Sequence, residues 1–416
     1  MVPLAILAGG SWLLHRNVLA YHHIPAAALG IWAVAAVTVV VQLVLAWFSR
    51  PYRCAAPDLR AVVIIPCYNE DPDYLVRVLE SLRLQTRPAD RVIVVDDGSK
   101  VAYEGIAACY PMLNLTWIRQ DNAGKKHAQV AGFAADPGAD VYVTIDSDSA
   151  LAADALENLL RPFADHRVAG VAGLEWAGNY ARNPLTLAIG ARSAAFQLFA
   201  MASQSAARGN VLIAPGAFSA FRGWIMREGA AAYAGETFCG MPVILGDDTM
   251  LTLQALMCGR VVQQVTAVAF PAYPENISHH LRQWTRWMRA STIRQIWRLR
   301  YLPVASYGWW FSVWQLGAFT AGVAATFLII AGWPATIPLL IGAAAGVLVW
   351  PLLLAIRLAC VSRSDMRWWS AVAGIALMPV AGLWYLVVLR QIRFYGIATI
   401  ARQGWVTRRW IEVRLR

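Results

Sequence analysis

Charged side chains are scarce in this chain of 416 residues, at 15% of the sequence, and lysine occurs only three times. Apolar residues reach 58%, and the mean hydropathy is +0.47. Soluble domains carry about 25% charged and about 50% apolar residues. The composition therefore excludes an ordinary soluble protein and predicts membrane spans that take up the excess of apolar residues.

The six cysteines form no CxxC pair, so reduced and mostly structural thiols are expected. A net charge of +11 first suggests nucleic acid as a partner, because basic patches bind phosphate backbones. Much of the excess charge, however, lies next to apolar runs, where arginines meet anionic lipid headgroups. We therefore expect membrane lipids as partners and no nucleic acid, and the oligomeric state stays open.

The first clear apolar run, residues 24–48, has about the 20 residues needed to cross a bilayer. Arg50 and Arg53 follow it, and the positive-inside tendency then places the next domain on the cytoplasmic side of the cell membrane. A shorter run at 2–14 lacks the cleavage site of a signal peptide, so it is expected to stay in the mature chain.

The carboxy-terminal third is dominated by three further apolar runs, near 306–330, 334–359 and 369–389. A full third span would place the last arginines outside the cell, against the positive-inside tendency. Gly374, Pro379 and Gly382 therefore favour a kinked or re-entrant pair that returns inside. The predicted parts of the chain are a membrane segment at 1–50, a cytoplasmic domain at 57–275, an interfacial helical segment at 276–302 and a membrane region at 303–416.

Between residues 57 and 273, strand signals alternate with helix signals. This alternation predicts an α/β domain with a mostly parallel, doubly wound, nucleotide-binding sheet. Short apolar strands are expected at 61–66, 91–95, 115–119 and 141–145, and helices at 71–84 and after Gly124. Ligands of such sheets bind beyond the carboxyl ends of the strands. The polar residues expected to converge there are Tyr68, Glu70, Asp96, Asp97, Asp146 and Asp148.

Two pairs of acids are candidates for chemistry. Asp146 and Asp148 lie two residues apart after an apolar strand, so both carboxylates can face one cation. Oxygen ligands suit Mg²⁺ or Mn²⁺, which would bridge to a diphosphate. The alternative is a solvated turn in which an Asp caps a helix. Asp247 and Asp248 precede an apolar helix pattern, so one can be its N-cap and the other a base that deprotonates an attacking hydroxyl.

Two basic segments accompany these acids. Lys125 and Lys126 follow Gly124 at a predicted helix start, where the pair and the helix dipole favour anions such as pyrophosphate. A solvated basic face explains the lysines equally well. Residues 279–300 are rich in Trp and Arg and are typical of a helix on the membrane surface. That alternative accounts for Arg294 and other arginines, but less well for Gln283, Arg286 and Trp287, which follow the candidate base.

At these residues the chain resembles the hyaluronan synthases and the chitin-oligosaccharide synthases of nodulation, which are processive family-two glycosyltransferases related to cellulose synthases. The likeness covers nearly the whole length. Its motifs are PCYNE at 66–70, VDDGS at 95–99, DSD at 146–148, GN at 209–210, FCGMPVILGDD at 238–248, QWTRW at 283–287 and WVTR at 405–408.

The resemblance implies a GT-A-like domain, an enzyme that transfers sugars from UDP-sugar donors, and membrane helices that carry the growing polysaccharide outward. Mg²⁺ or Mn²⁺ would be the cofactor. Tyr68 would stack on the uracil, and Asp248, with Asp247 beside it, would be the general base. The remaining substrate and metal contacts would be Glu70, Asp96, Asp97, Lys125, Lys126, Asp146, Asp148, Gln283, Arg286, Trp287, Trp405 and Arg408.

The chain departs from the hyaluronan synthases at two places. Thr249 stands where they have Arg after Gly-Asp-Asp, and residues 214–219 differ where the acceptor sugar would lie. Gly-Asp-Asp favours hyaluronan-type synthesis slightly over chitin oligomers. Two other classes stay open: a transporter whose cytoplasmic domain only binds nucleotide, and a non-processive transferase acting on a lipid phosphate. A pure carrier, however, has no need of Asp248 or Arg286.

Overall fold

The structure is a computed structural model that describes residues 26–101, 103–330, 349, 351–359 and 366–402. The run at 2–14, Trp405 and Arg408 lie outside the described residues. The domain that follows the first apolar helix is built on one eight-stranded sheet, with strands in the order β3-β2-β1-β4-β7-β6-β10-β5. The strands are β1 Ala61–Cys67, β2 Arg91–Asp96, β3 Leu115–Arg119, β4 Val141–Ile145, β5 Ala150–Leu151, β6 Val168–Glu175, β7 Phe218–Arg222 and β10 Arg260–Phe270, with a separate hairpin of β8 Thr237–Phe238 and β9 Met241–Pro242.

The sheet is mixed, so the expectation of a mostly parallel sheet is correct for only part of it. Strands β3, β2, β1 and β4 are parallel neighbours, and β6 pairs with β10 in the same way. Strand β7 is antiparallel to both β4 and β6, with Phe218 opposite Ile145 and Ser219 opposite Ala172. Since β7 begins at the edge where β4 and β6 end, it must run against them. The alternation of strands and helices in a sequence does not show whether a strand runs parallel or antiparallel to its neighbours in the sheet.

Helices cover both faces of the sheet. On one face, the Pro72–Arg83 helix begins at the N-cap Asp71, whose side chain accepts the N–H of Asp73, and it buries Leu75, Leu79 and Leu82. The other face packs against the helices that carry the functional motifs, described with the site. The helices are Ala26–Phe48, Pro72–Arg83, Glu104–Ala107, Lys125–Ala135, Ala155–Leu160, Pro184–Ala206, Gly223–Ala234, Asp247–Cys258, Ile277–Tyr301, Tyr307–Ile330, 351–359 and Trp368–Ala398, with 3-10 turns at Pro111–Leu113 and Arg161–Ala164.

Two helices among the described residues are long and apolar enough to cross a membrane, Pro184–Ala206 and Trp368–Ala398. The first was not foreseen as a long apolar helix, and it is mostly buried. Ala194 and Leu198 pack with Leu174 and Trp176 against the end of β6, which makes this helix part of the core of the domain. By length and composition alone, two such helices are weak evidence for a membrane protein.

The expected apolar runs at 24–48 and 306–330 are helical, as Ala26–Phe48 and Tyr307–Ile330. Of the run at 334–359, the structure describes position 349 and the helix at 351–359. Of the expected kinked or re-entrant pair near 369–389, the re-entrant form is wrong, because one helix runs from Trp368 to Ala398. A kink in that helix stays a prediction. The N–H of Leu377 bonds to Ala373 O at 2.9 Å and the N–H of Ala381 bonds to Leu377 O at 2.9 Å, so the helical hydrogen bonds continue past Pro379.

Candidate active site

The carboxyl ends of β1, β2 and β4 lie side by side and bring the first polar motifs together. The N–H of Asp97 bonds to Cys67 O at 2.9 Å, which joins the ends of β2 and β1. Ser147, between the two acids after β4, donates from its Oγ to Glu70 Oε2 at 3.1 Å. Tyr68 is partly exposed at the end of β1. The convergence expected from the parallel half of the sheet is therefore present.

Asp96 and Asp97 are both buried and bind neighbouring protein groups. Asp96 accepts the N–H of Ser99 at 2.9 Å and pairs with Arg119 at 2.9 Å. Asp97 accepts the N–H groups of Ala123 at 3.0 Å and Gly124 at 2.8 Å. These contacts fix the loop that precedes the Lys125–Ala135 helix. Both carboxylates are thus engaged with protein groups, and Tyr68 is partly exposed at the end of β1.

Lys125 lies at the centre of the acidic groups. Its Nζ is 2.7 Å from Asp146 Oδ1 and 2.7 Å from Asp247 Oδ2. Burial works against its charge, yet Asp146 and Asp247 together raise the pKa of Lys125 above its ordinary value. Gly216 passes close by, and a Cβ there would lie 3.0 Å from the Nζ. The ammonium therefore joins the end of β4 to the start of the Asp247–Cys258 helix.

Lys126 points elsewhere, although it is adjacent in sequence. Its buried Nζ donates to Glu236 Oε2 at 2.7 Å and to Val243 O at 2.7 Å, and it lies over the ring of Tyr233. Burial lowers the pKa of Lys126, and Glu236 opposes that shift. Of the two lysines, the structure brings only Lys125 to the acids of the candidate site.

Asp247 and Asp248 open a helix whose N-cap is Gly246, so neither aspartate serves as the N-cap. Burial disfavours the charge of Asp247, but Lys125 outweighs it and keeps the pKa of that carboxyl below its ordinary value. Burial and the adjacent Asp247 raise the pKa of Asp248 to about 7. Oδ1 of Asp248 accepts the N–H of Thr249 at 2.7 Å. Two neighbouring carboxyls with opposite pKa shifts are typical of acid-base sites.

The Ile277–Tyr301 helix, which carries the QWTRW motif and is called the motif helix here, packs directly on this acidic turn. Gly246 has a positive φ of 78°, and a Cβ on it would lie 2.9 Å from Cβ of Ala290. A glycine is therefore required for this close approach as well as for the backbone conformation. On the far side, Trp284 Nε1 donates to Leu389 O at 3.0 Å, so the motif helix lies between the sheet domain and the Trp368–Ala398 helix.

The interpretation of Arg294 and Arg298 as arginines of a membrane-surface helix is wrong. Arg294 is 0% exposed and forms a two-pronged pair with Glu236, at 2.9 Å and 3.0 Å. Arg298 is buried and donates to Leu212 O. Because Glu236 also accepts from Lys126, one carboxylate ties the motif helix to the Lys125–Ala135 helix. Helical periodicity predicts that both arginines lie on one face of the helix. It cannot show that this face packs against the sheet domain.

The motif residues occupy the part of the helix that precedes Arg294. Trp287 is 46% exposed and meets Trp284 edge to face, with ring centroids 5.6 Å apart. The side chains of Gln283 and Arg286 are partly buried. The Oε1 of Gln283 is buried with no hydrogen-bond partner among the described residues. A buried amide oxygen without a partner is costly unless a ligand or water supplies one.

Glu175, at the end of β6, belongs to the same group of acids and was not anticipated. Burial, with Asp146 and Asp248 close by, raises the pKa of Glu175 to about 8. Tyr273 lies beside it, donates to Ser193 Oγ at 2.8 Å, and has its own pKa raised by burial and by Glu175. Neither residue could be predicted from the sequence, since Glu175 ends an apolar strand and neither belongs to a motif.

The acids after β4 fit a metal ion only in part. Asp146 is paired with Lys125, and Asp148 is partly exposed and accepts the Ser149 hydroxyl at 3.0 Å. No group of three or more His, Cys, Asp or Glu side chains suited to a metal is found in the described part of the chain. Two carboxylates suffice for Mg²⁺ or Mn²⁺ when a substrate diphosphate supplies further oxygens. The donor set thus fits a cation that arrives with its nucleotide.

Several known proteins are similar to this chain. Residues 62–227, which run from β1 to β7 and include Lys125 and Asp146, match the family model of glycosyl transferase family 2. The chain carries a family-two glycosyltransferase domain. It is 28% identical over 397 residues to the hyaluronan synthase of Streptococcus pyogenes, covering 92% of each chain. The family resemblance inferred from the motifs is confirmed, and the protein is a glycosyltransferase.

Further relatives extend the comparison. An N-acetylglucosaminyltransferase of Rhizobium sp. (strain N33) is 27% identical over 366 residues, covering 83% of this chain and 76% of the relative. The solved mannosyltransferase PcManGT from Pyrobaculum calidifontis, in complex with GDP-Man and Mn²⁺, shares 20% identity and a TM-score of 0.51 over 90% of this chain and 98% of its own. At that identity it supports the GT-A-like α/β fold alone.

Proposed function

We propose that this protein is a membrane-embedded, processive, inverting glycosyltransferase that polymerises UDP-sugars of the hyaluronan type and passes the product across the membrane. The observation that carries the proposal is the similarity to hyaluronan synthase over 92% of both chains, which is too long to be confined to the sheet domain. A relative that shared only the sheet domain would support sugar transfer but not polymer export.

The reaction requires a base, because an attacking sugar hydroxyl must lose its proton as the nucleotide diphosphate leaves. Asp248 suits this role, since a pKa of about 7 leaves much of it ionised at neutral pH while keeping it basic. Asp247 stays ionised beside Lys125, and its negative charge helps burial to raise the pKa of Asp248. The hydroxyl oxygen would attack the anomeric carbon from one side and lose its proton to Asp248, while UDP leaves from the other side, which inverts the anomeric centre.

The diphosphate of the donor would bind between Lys125 and the motif helix. Lys125 supplies a charge at the end of β4, and Arg286 supplies a planar guanidinium that suits phosphate oxygens. Asp146 and Asp148 would hold Mg²⁺ or Mn²⁺ together with the diphosphate. The bound cation would neutralise charge on the leaving group. Tyr68 would stack on the uracil, and the loop fixed by Asp97 would form the wall of that pocket.

The acceptor sugar would lie on the motif helix. The exposed face of Trp287 suits stacking on a sugar ring. Gln283 Oε1 has no hydrogen-bond partner within the described residues, and a sugar hydroxyl could provide one. The helices that follow would lead the polymer through the membrane. We place the sheet domain on the cytoplasmic side of the cell membrane, because UDP-sugars are available there. The arginines after the first apolar run favour the same orientation.

The test is to incubate the purified full chain with UDP-GlcNAc, UDP-GlcA or both, with Mn²⁺ or Mg²⁺, and to measure UDP release and product size. We expect long product only when both donors are present, and loss of activity with EDTA. Transfer of a single sugar to a lipid would contradict processive synthesis. Absence of UDP release with every donor would contradict the proposal as a whole.

A second candidate is synthesis of a GlcNAc homopolymer or oligomer. The similarity to the Rhizobium N-acetylglucosaminyltransferases supports it, including one relative that is 31% identical over 239 residues. The same assay separates the two candidates, because chitin-type product forms from UDP-GlcNAc alone and is degraded by a chitinase.

A further inference from the structure

Arg192 is a guanidinium in an unusual position, in the middle of the buried, apolar Pro184–Ala206 helix. Its charge lies over two rings, at 4.2 Å from the centroid of Tyr385 and 5.6 Å from that of Trp284. No carboxylate or hydrogen-bond acceptor among the described residues pairs with it. The aromatic faces stabilise its positive charge. They cannot accept hydrogen bonds from the N–H groups at the edge of the guanidinium, which have no other acceptor in the described chain.

Other cations near the candidate site are committed to protein groups. Lys125 binds Asp146 and Asp247, and Lys126 and Arg294 share Glu236. A partly buried arginine without such a partner is costly unless a ligand supplies the acceptor. Arg192 therefore differs from its neighbours in a way that points to a ligand carrying an anionic or strongly accepting group.

The surroundings of Arg192 suit a carbohydrate. Trp284 and Tyr385 meet edge to face at 5.9 Å, and Trp287 continues the aromatic surface along the motif helix. His280 lies one turn before Trp284, and its Nδ1 is buried with no hydrogen-bond partner in the described chain. Burial, Arg192 and His279 lower the pKa of His280 to about 4, so at neutral pH its ring is uncharged and free to bond a hydroxyl.

This cluster of Arg192, His280, Trp284 and Tyr385 adjoins the acceptor platform and faces the Trp368–Ala398 helix. We propose that Arg192 binds the carboxylate of a uronic acid unit in the growing chain, so that the cluster selects a uronate-containing acceptor. A carboxylate matches the paired N–H donors of a guanidinium, and the rings stack on the sugar. The inference rests on the proposed polymerase function and adds the residue that recognises the charged sugar.

The test compares two primers with the full chain in nanodiscs and UDP-GlcNAc as donor. One primer is a hyaluronan oligosaccharide that ends in a uronate, and the other is the same oligosaccharide with its carboxyls reduced to alcohols. For a single addition, the wild type should favour the uronate primer by about tenfold or more in kcat/KM, the loss expected for one charge-assisted hydrogen bond. Arg192→Gln should reduce that ratio to within about twofold, and Arg192→Lys should fall between them.

Arg282→Gln is the matched control, because Arg282 lies exposed on the motif helix, bonds only locally to Ser278 at 2.8 Å, and carries the same charge. It should keep the preference of the wild type. Equal use of both primers by the wild type, or an unchanged ratio in Arg192→Gln, overturns the inference while leaving the polymerase proposal intact. No addition to either primer and no UDP release would instead count against the polymerase.

Two further readouts keep structural and lipid roles apart. UDP affinity of Arg192→Gln should match the wild type, and its loss would assign Arg192 to stability and overturn the inference. The primer preference should be the same in phosphatidylcholine and in phosphatidylglycerol nanodiscs. A preference that depends on the anionic lipid would assign the guanidinium to headgroups instead.

Discussion

Lys125 and Lys126 are adjacent in sequence, but their side chains bind different carboxylates. Successive positions on a helix point about 100° apart, so one ammonium reaches the acids at the end of β4 and the other turns into the domain. The sequence drew attention to the pair because the chain has only three lysines. It could not divide the roles, since that depends on Glu236, which is distant in sequence and lies in no motif of its own.

Because the two lysines bind different groups, we expect substitution of Lys125 to impair catalysis and substitution of Lys126 to impair stability. Lys125→Met should lower kcat/KM by about tenfold or more, because the donor loses a phosphate contact and Asp146 and Asp247 lose their shared cation. Lys126→Met should leave UDP binding intact and lower the free energy of unfolding by about 3 kcal/mol, as for a broken buried ion pair. Steady-state kinetics and thermal unfolding would measure the two effects. The assignment fails if the two variants show the same pattern.

The raised pKa of Asp248 predicts a pH dependence of the rate. A general base must be ionised, so kcat/KM should fall about tenfold per pH unit below pH 7 and level off above it. Asp248→Asn should lower the rate by about 10² to 10⁴, and the remaining rate should no longer fall below pH 7. UDP binding should stay close to that of the wild type. Near-normal synthesis by this variant would move the base to another residue.

Asp148 gives a test of the metal. Donor affinity of the wild type should drop when EDTA is added, and Asp148→Ala should show that low affinity with or without EDTA. Asp154→Ala removes an exposed carboxylate outside the site and serves as the control. Titration of UDP-sugar binding in the presence and absence of Mn²⁺ makes the measurement. Identical affinities in all conditions would leave the DSD segment a structural turn.

At the scale of elements, the parallel half of the sheet could be predicted and the antiparallel half could not. Strands β1 to β4 follow an alternation of apolar strands and helices, and they were placed within two residues. The edge at which β7 joins the sheet depends on the long Pro184–Ala206 helix, which precedes it and carries a central Arg192 within its apolar sequence. The motif helix was predicted by its periodicity, but which side meets the domain depends on Glu236 and Gly246.

The burial of Arg294 excludes this residue as a control for substitutions in the QWTRW motif. Arg286→Lys keeps the charge but loses planar two-pronged contact with phosphate, so activity should fall by an order of magnitude or more while insertion and expression stay normal. Arg294→Lys would disturb its buried pair with Glu236 and is unsuitable. Arg282→Lys, one turn before Arg286 and exposed, should behave as the wild type. If both variants synthesise polymer equally well, the QWTRW motif does not bind phosphate, and the membrane-surface interpretation of this helix is favoured.

For the whole molecule, the proposal couples synthesis to passage through the membrane. In sealed proteoliposomes given UDP-sugars outside, chains whose sheet domain faces outward should deliver polymer into the lumen. That product should resist an added polysaccharide hydrolase until detergent opens the vesicles. Vesicles with Asp248→Asn should contain none. Product that is digested before detergent is added would mean that the helices anchor the enzyme without carrying its product.

The contact between Gly246 and Ala290 has a practical consequence for anyone who wishes to alter the product. Main chain and a methyl group meet there, and the Thr249 hydroxyl would lie equally close to a Cβ on Gly246. If the acceptor lies on the motif helix as proposed, substitutions along the outward face of that helix would change which sugar is held, while the spacing between that sugar and Asp248 would stay fixed. Point mutations would then retarget the enzyme to a sugar of similar size, whereas a bulkier unit would require that two helices be redesigned together.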